Sequence, residues 1–191
     1  MDTLDKLYII PPYNLDGPIT NSHKHLARAL FSLVSTQPFD TITVKEICDE
    51  AAVSRSNFYN HFDDKYHLLL FCLKLIPQVD LQNKLDFNHS QMLFDDFLVY
   101  IVNHQAFFRS LVSFENGSEL RRLLESVINE DIREFLQTKA AINQETPVTP
   151  LESRVSFLTG GVSSLIQWWL LNGLELTVQE ISQTINEFVT S

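Results

Sequence analysis

Between Thr43 and Lys65 the chain reads TVKEICDEAAVSRSNFYNHFDDK, and its polar side chains are of kinds that read or hold nucleic acid. Arg55, Ser56, Asn57 and Asn60 fall in one short helical stretch. Arg can form paired hydrogen bonds with a guanine edge, and Asn with an adenine edge. Tyr59, His61 and Lys65 suit phosphate contacts, being donors on short or semi-rigid side chains. Thr43 and Lys45 stand at the start of the preceding helix, where N–H groups favour a phosphate. Phe58 and Phe62, at i and i+4, turn inward. A short capped helix, a tight turn and a second polar helix are the sequence form of a helix-turn-helix, whose second helix enters the major groove of DNA.

No other chemistry competes with this. The chain has no Gly-rich phosphate loop, no nucleophile motif and no paired carboxylates in a catalytic setting, so no enzyme and no cofactor is expected. His23 and His25 are two residues apart, which on a helix sends them to different faces, so no metal site is expected. His89 and His104 stand alone and read as surface or capping residues. Cys48 and Cys72, the only cysteines, lie on apolar helical faces and read as small buried hydrophobes.

The elements that position the polar stretch are helices. Gly is scarce at 5 residues and Phe abundant at 14, and apolar residues recur at spacings of three and four. Residues 1–18 form an irregular N-terminal arm with Pro11, Pro12, Gly17 and Pro18. Thr20 to Ser35 is a helix with Leu26, Leu30, Leu33 and Val34 on one face, ended by Gln37-Pro38. Thr43 and Glu46 form a capping box for a helix to about Ala51. Ser54 caps the next helix, and Asp63 or Asp64 caps one starting near Lys65, which Pro77 bends or ends. Further helices are expected at Gln91–Asn103, Gln105–Val112, Glu119–Lys139, Leu151–Leu171 and Thr177–Val189. The fold class is all-α: a helix-turn-helix domain at 19–67, then a helical sensing and dimerisation domain at 68–191.

Charge sets a limit. The chain carries a net charge of −10. Its first 67 residues hold six Lys/Arg against nine Asp/Glu, a net of −3, and the remainder eight against fifteen, a net of −7. DNA affinity depends on local phosphate neutralisation, so few cations must serve, and salt should weaken binding readily. No segment has the ~18 consecutive apolar residues of a membrane span. A cytoplasmic protein without a membrane partner is expected.

Residues 22–70 resemble the DNA-binding domain of the tetracycline-repressor family of bacterial regulators. The likeness lies in Gln37 to Val44, Ile47-Cys48, Ala51-Ala52-Val53-Ser54, Phe58-Tyr59-Asn60-His61-Phe62, Lys65 and Leu68. It implies that Tyr59, His61 and Lys65 hold the phosphate backbone and that Arg55, Ser56 and Asn57 face bases. The chain departs from the family's commoner pattern, which has Gly at Ser56 and Thr at Asn57.

The C-terminal wording FLTGGVSSLIQWWLLNG resembles a regulatory domain of family members from low-GC Gram-positive bacteria, through Phe157, Gly160, Gly161, Ile166, Trp168 and Gly173. The resemblance implies that the last two long helices pair with a second copy as a four-helix bundle. Phe157, Gly160, Gly161, Ser164, Ile181 and Ile185 would form that interface. A homodimer suits two half-sites on DNA. Phe94, Phe97, Tyr100, Phe107, Phe108, Phe114 and Trp168 are candidates to line an apolar cavity. The expected function is a transcriptional regulator, a repressor binding a palindromic double-stranded operator, controlled by a small-molecule or protein effector. The rival is a protein-interaction module or co-activator on the same fold with weak or lost DNA binding.

Overall fold

A computed structural model describes residues 19–82, 93–113, 118–143 and 149–190. The expected N-terminal arm lies outside them. Among the described residues the chain forms nine α-helices and no strand: α1 (Asn21–Val34), α2 (Val44–Ala51), α3 (Arg55–Tyr59), α4 (Lys65–Gln82), α5 (Leu93–Asn103), α6 (Gln105–Ser113), α7 (Ser118–Asn143), α8 (Leu151–Leu171) and α9 (Val178–Thr190). A 3-10 turn at Phe39–Thr41 joins α1 to α2.

The first helices start at side-chain caps. Thr20 caps α1 and His23 returns a bond to it, Nδ1 accepting from the Thr20 N–H at 3.2 Å. At α2 the Thr43 hydroxyl accepts from the Glu46 N–H at 3.2 Å, and the Glu46 carboxylate accepts from the Thr43 N–H at 2.8 Å. Ser54 caps α3, and Asp64 accepts from His67 N–H at 2.8 Å to cap α4. Such caps satisfy N–H groups that a helix's first turn leaves open. Thr43→Ala is therefore expected to lower stability by about 1 kcal/mol, read as a lower urea midpoint. An unchanged midpoint would show that solvent serves α2 equally well.

Around these starts the apolar stripes close one core. Leu26, Leu30 and Val34 of α1 meet Ile47 of α2, Phe58 of α3 and Leu68 and Cys72 of α4, all buried. Burial pushes the thiols of Cys48 and Cys72 up, so both stay protonated and behave as apolar groups. Pro77 does not end α4, which runs on to Gln82 and carries the chain across the expected domain boundary near residue 67 without a break.

The body packs α7 along α8, with α6 against α8 and α5 against α9. Arg133 of α7 pairs with Glu152 of α8 through its two terminal guanidinium nitrogens. Trp169 is buried, and its indole N–H donates to the Leu176 carbonyl at 2.8 Å, pinning the turn into α9. In that turn Gly173 and Leu174 have φ of +79° and +59°.

Head and body meet through aromatic and polar contacts. Phe31 of α1 stacks on Phe107 of α6, centroids 4.0 Å apart, and meets the edge of His104 at 5.5 Å. His104 is thus part of a junction rather than a surface residue. Tyr66, at the start of α4, lies near Glu119 at the start of α7 and feels its charge. Burial, then the Glu119 charge, pushes the Tyr66 hydroxyl up to about 12.

Candidate nucleic-acid interface and effector cavity

Helix α3 is short, and its geometry divides its residues cleanly. Phe58 is fully buried, while Arg55, Ser56, Tyr59 and Asn60 are exposed at i, i+1, i+4 and i+5, so they share one face. Tyr59, 51% exposed, meets the Phe58 ring edge to face with centroids 5.3 Å apart. The turn before α3 passes through Ala52, whose φ of +52° is left-handed. A side chain there costs roughly 1–2 kcal/mol, and the backbone holds it because the Val53 N–H bonds the Cys48 carbonyl at 3.0 Å.

Four sequence-expected DNA contacts are differently employed. Asn57 is half-buried, and its amide donates to Ser22 Oγ at 3.0 Å. It fastens α3 onto α1 rather than projecting beside Arg55 and Ser56. His61 is half-buried against His23, ring centroids 4.4 Å apart. Burial, then the nearby His61 and His67, lowers the His23 pKa. The Thr43 hydroxyl is engaged with Glu46. Hydrogen bonds from Thr43, side chain first and backbone second, lower the Glu46 pKa, so a carboxylate sits at the start of α2 where a phosphate was expected.

Lys65 differs most. Its ammonium donates to the carbonyls of Phe39 at 2.9 Å, Asp40 at 3.0 Å and Ile42 at 2.9 Å. It also lies 4.7 Å from the Phe39 ring centroid. An ammonium has three donors, so Lys65 clamps the 3-10 turn to α4 and has none left for a phosphate. Burial lowers its pKa, and Asp40, Glu119, Glu46 and Asp64 offset part of that. The exposed cations of the head are Lys24 and Arg28 on α1, Lys45 on α2 and Arg55 on α3. Lys45 stands 3.9 Å from Asp49 with both side chains largely exposed, a pairing that water screens.

In the body, a cavity of about 530 Å³ lies among α5, α6, α7 and α8, with Leu73 of α4 at its edge. Of the expected lining residues it includes Phe97 and Phe108. Phe107 and Tyr100 are buried elsewhere: Phe107 against Phe31, and Tyr100 against His104 at 4.4 Å. Trp168 is 46% exposed and is not among the residues that line the cavity. The side chain of Phe94, and Phe114 as a whole, lie outside the described residues. Sequence reading missed the wall supplied by Leu120, Leu124, Val127 and Ile128. Their three- and four-residue spacing marked a buried stripe, but not one that faces a void.

The expected dimer residues also divide. Phe157 is 78% exposed, and Gly160, Gly161 and Ser164 are exposed too. With Trp168 and Leu171 they form a stripe along α8 at helical spacing. Ile181 and Ile185 are instead buried inside the protomer, at 0% and 2% exposure, on the face of α9 that packs inward. Phe188, 69% exposed, is the large apolar residue that α9 turns outward among its described residues.

Residues 26–71 match the family described as "Bacterial regulatory proteins, tetR family", and residues 88–191 match "Transcriptional regulator C-terminal region". The chain is 22% identical over 181 residues to "Uncharacterized HTH-type transcriptional regulator YxbF" of Bacillus subtilis (strain 168). That match covers 89% of this chain but 45% of the relative, so the chain spans less than half of its length. Among solved structures, a putative TetR-family transcriptional regulator from Syntrophomonas wolfei str. Goettingen superposes with a TM-score of 0.60 at 13% identity, covering 88% of this chain and 93% of that one. The dihydroxyacetone kinase operon activator DhaS gives 0.55 at 14% identity over 89% and 94%. A TetR transcriptional regulator from Streptococcus agalactiae 2603V gives 0.54 at 20% identity over 88% and 92%. At these identities the structural likeness speaks to the fold alone.

Proposed function

The chain belongs to the tetR family of bacterial regulatory proteins, and from that premise we propose that it is a DNA-binding transcriptional regulator. It reads a two-fold-symmetric operator as a homodimer and represses transcription until an effector in the body cavity releases it. The observation that carries the DNA reading is the exposed face of α3, where Arg55, Ser56, Tyr59 and Asn60 stand clear of the core beside Lys45 of α2. Arg55 reads base edges and Tyr59 holds a phosphate.

Effector control is supported by shared helices. Leu120 and Arg121 line the cavity directly after Glu119, whose charge acts on Tyr66 of the head. Phe108 lines it next to Phe107, which stacks on Phe31 of α1. A ligand that prefers a shifted α6 or α7 weakens DNA binding by the same factor that DNA weakens the ligand.

Selection of bound duplexes from a random pool, at low and moderate salt, tests this reading. A two-fold-symmetric site is expected. Arg55→Ala should bind it about 1–3 kcal/mol more weakly and lose preference at one base per half-site. Failure of the folded protein to enrich any sequence at either salt would instead support a protein-interaction module or co-activator. That second reading is favoured by the net charge of −10 and by the engagement of Lys65. The structurally similar DhaS is an operon activator.

A further inference from the structure

We propose that the mouth of the body cavity is closed by a second copy of the chain, so that the cavity holds its occupant tightly only in the dimer. This rests on the effector reading of the cavity and the dimer reading of α8, and adds a linkage between them.

The observation that carries it is an overlap of two sets of residues. Ser164, Gln167 and Leu171 of α8 line the cavity, and all three are exposed. Arg121 of α7 lines it and is exposed too. Lining residues that also meet solvent mark where a cavity opens. The mouth therefore lies between the first turn of α7 and the last turns of α8. That part of α8 also carries the apolar stripe. Phe157, Ser164 and Leu171 recur every seven residues, about two turns apart, and so fall in one line along the helix. Gln167 flanks that line on one side and Trp168 on the other. A copy packed on the stripe covers the mouth.

The mouth is poorly closed by the protomer alone. Ligand sites bury most of their occupant's surface, and apolar surface left in water forfeits stabilisation in proportion to its area. In a lone protomer the occupant faces water past Ser164 and Leu171, and Leu171 is itself 51% exposed. The polar groups of the rim are engaged within the protomer. Arg121 Nε donates to Glu125 Oε1 at 2.9 Å, and Gln167 Nε2 donates to the Val112 carbonyl at 3.4 Å. What remains to be covered is the apolar side, on α8.

A second copy fits that side. Gly160 and Gly161 are exposed, and a Cβ built on either meets nothing within 4 Å, so another helix can approach α8 closely there. Two-fold symmetry presents the same patch from both copies, so one association closes both mouths. The coupling is reciprocal: an occupant tightens the dimer by the factor by which the dimer tightens the occupant.

The test uses the intact protein and diphenylhexatriene, an uncharged hydrocarbon dye that fluoresces on leaving water. Cavity binding is the part of the signal that Leu124→Trp, which fills the cavity, removes; dye held on the exposed stripe survives that change. Phe157→Arg breaks the dimer seven residues before Ser164, at a position that is 78% exposed and does not line the cavity. Far-UV circular dichroism checks that its helices persist. Its monomer is expected to bind dye in the cavity roughly 10-fold or more weakly than the wild-type dimer. In sedimentation velocity, dye is expected to lower the wild-type dimer's dissociation constant by that factor per occupied protomer. Cavity binding as strong in the monomer as in the dimer, or stronger, would overturn the inference while the cavity and the dimer both stand. If Leu124→Trp removes no signal from the wild type, the cavity reading falls and takes the inference with it. If the wild type is a monomer, or if Phe157→Arg and Gly161→Arg both leave its dimer intact, the dimer reading of the stripe falls, and the inference falls with that.

Discussion

Replacing Lys65 with Ala is expected to destabilise the protein by about 2 kcal/mol while leaving the salt dependence of DNA binding unchanged. Three charge-assisted hydrogen bonds run from its ammonium to the carbonyls of Phe39, Asp40 and Ile42. Their removal leaves two carbonyls of the 3-10 turn and that of Ile42 just after it to water or to nothing. Because the site is only half-buried, solvent recovers part of the loss, which holds the estimate well below the sum of three such bonds. The discriminating measurement is the slope of log affinity against log salt. A residue that neutralises one phosphate makes that slope shallower by about one when removed. Lys45→Ala, at an exposed cation, should show that change with little loss of stability. A shallower slope and an unchanged melting temperature for Lys65→Ala would restore Lys65 to the phosphate backbone and refute the clamp.

Gly161→Arg is expected to convert the protein to a monomer and to lower operator affinity roughly 100-fold or more, through loss of the linked second half-site. Gly161 is exposed on α8, and a Cβ built on it meets nothing within 4 Å in its own chain. The protomer therefore accommodates the substitution, and Arg exceeds Gly in helix propensity by roughly 1 kcal/mol. The damage falls on whatever packs against the stripe of Phe157, Gly160, Gly161, Ser164, Trp168 and Leu171. An unpartnered apolar stripe of this kind marks an interaction surface, and two α8 helices can approach closely only where their residues are small. Sedimentation velocity reads the oligomeric state, and far-UV circular dichroism reports whether the helices persist. An intact dimer would place the interface elsewhere, with exposed Phe188 of α9 the next residue to vary.

Much of this architecture was legible before any coordinates. The capping pair Thr43 and Glu46 announced where α2 begins, because two residues three apart satisfy each other's backbone by local geometry alone. Leu151–Leu171 was equally plain, its ends set by Pro150 before it and Asn172-Gly173 after it. Local signals failed where long-range contacts decide. Pro77 reads as a bend or an end, and the end does not occur, since α4 continues past it. The resemblance put Ile181 and Ile185 in a dimer interface, but they are buried in the protomer, and a stripe at helical spacing shows that a face is buried, not what buries it. Trp168 and Trp169 are neighbours of one type, and the 100° turn between them sends one outward and the other into the core.

The sequence by itself determined the helical class, the caps, the helix-turn-helix and the inward positions of Phe58 and Phe62, since each follows from spacing within a few residues. Tertiary structure decided what the polar residues do. Lys65 could have reached outward, but the turn at Phe39–Thr41 and the residue after it, Ile42, present three carbonyls to it. Asn57 could have faced DNA, but Ser22 of α1 lies within hydrogen-bonding distance. The left-handed Ala52 and the cavity wall on α7 likewise had no local signature. A flexible polar side chain takes the partners that distant segments bring to it, and spacing along the chain does not encode their arrival.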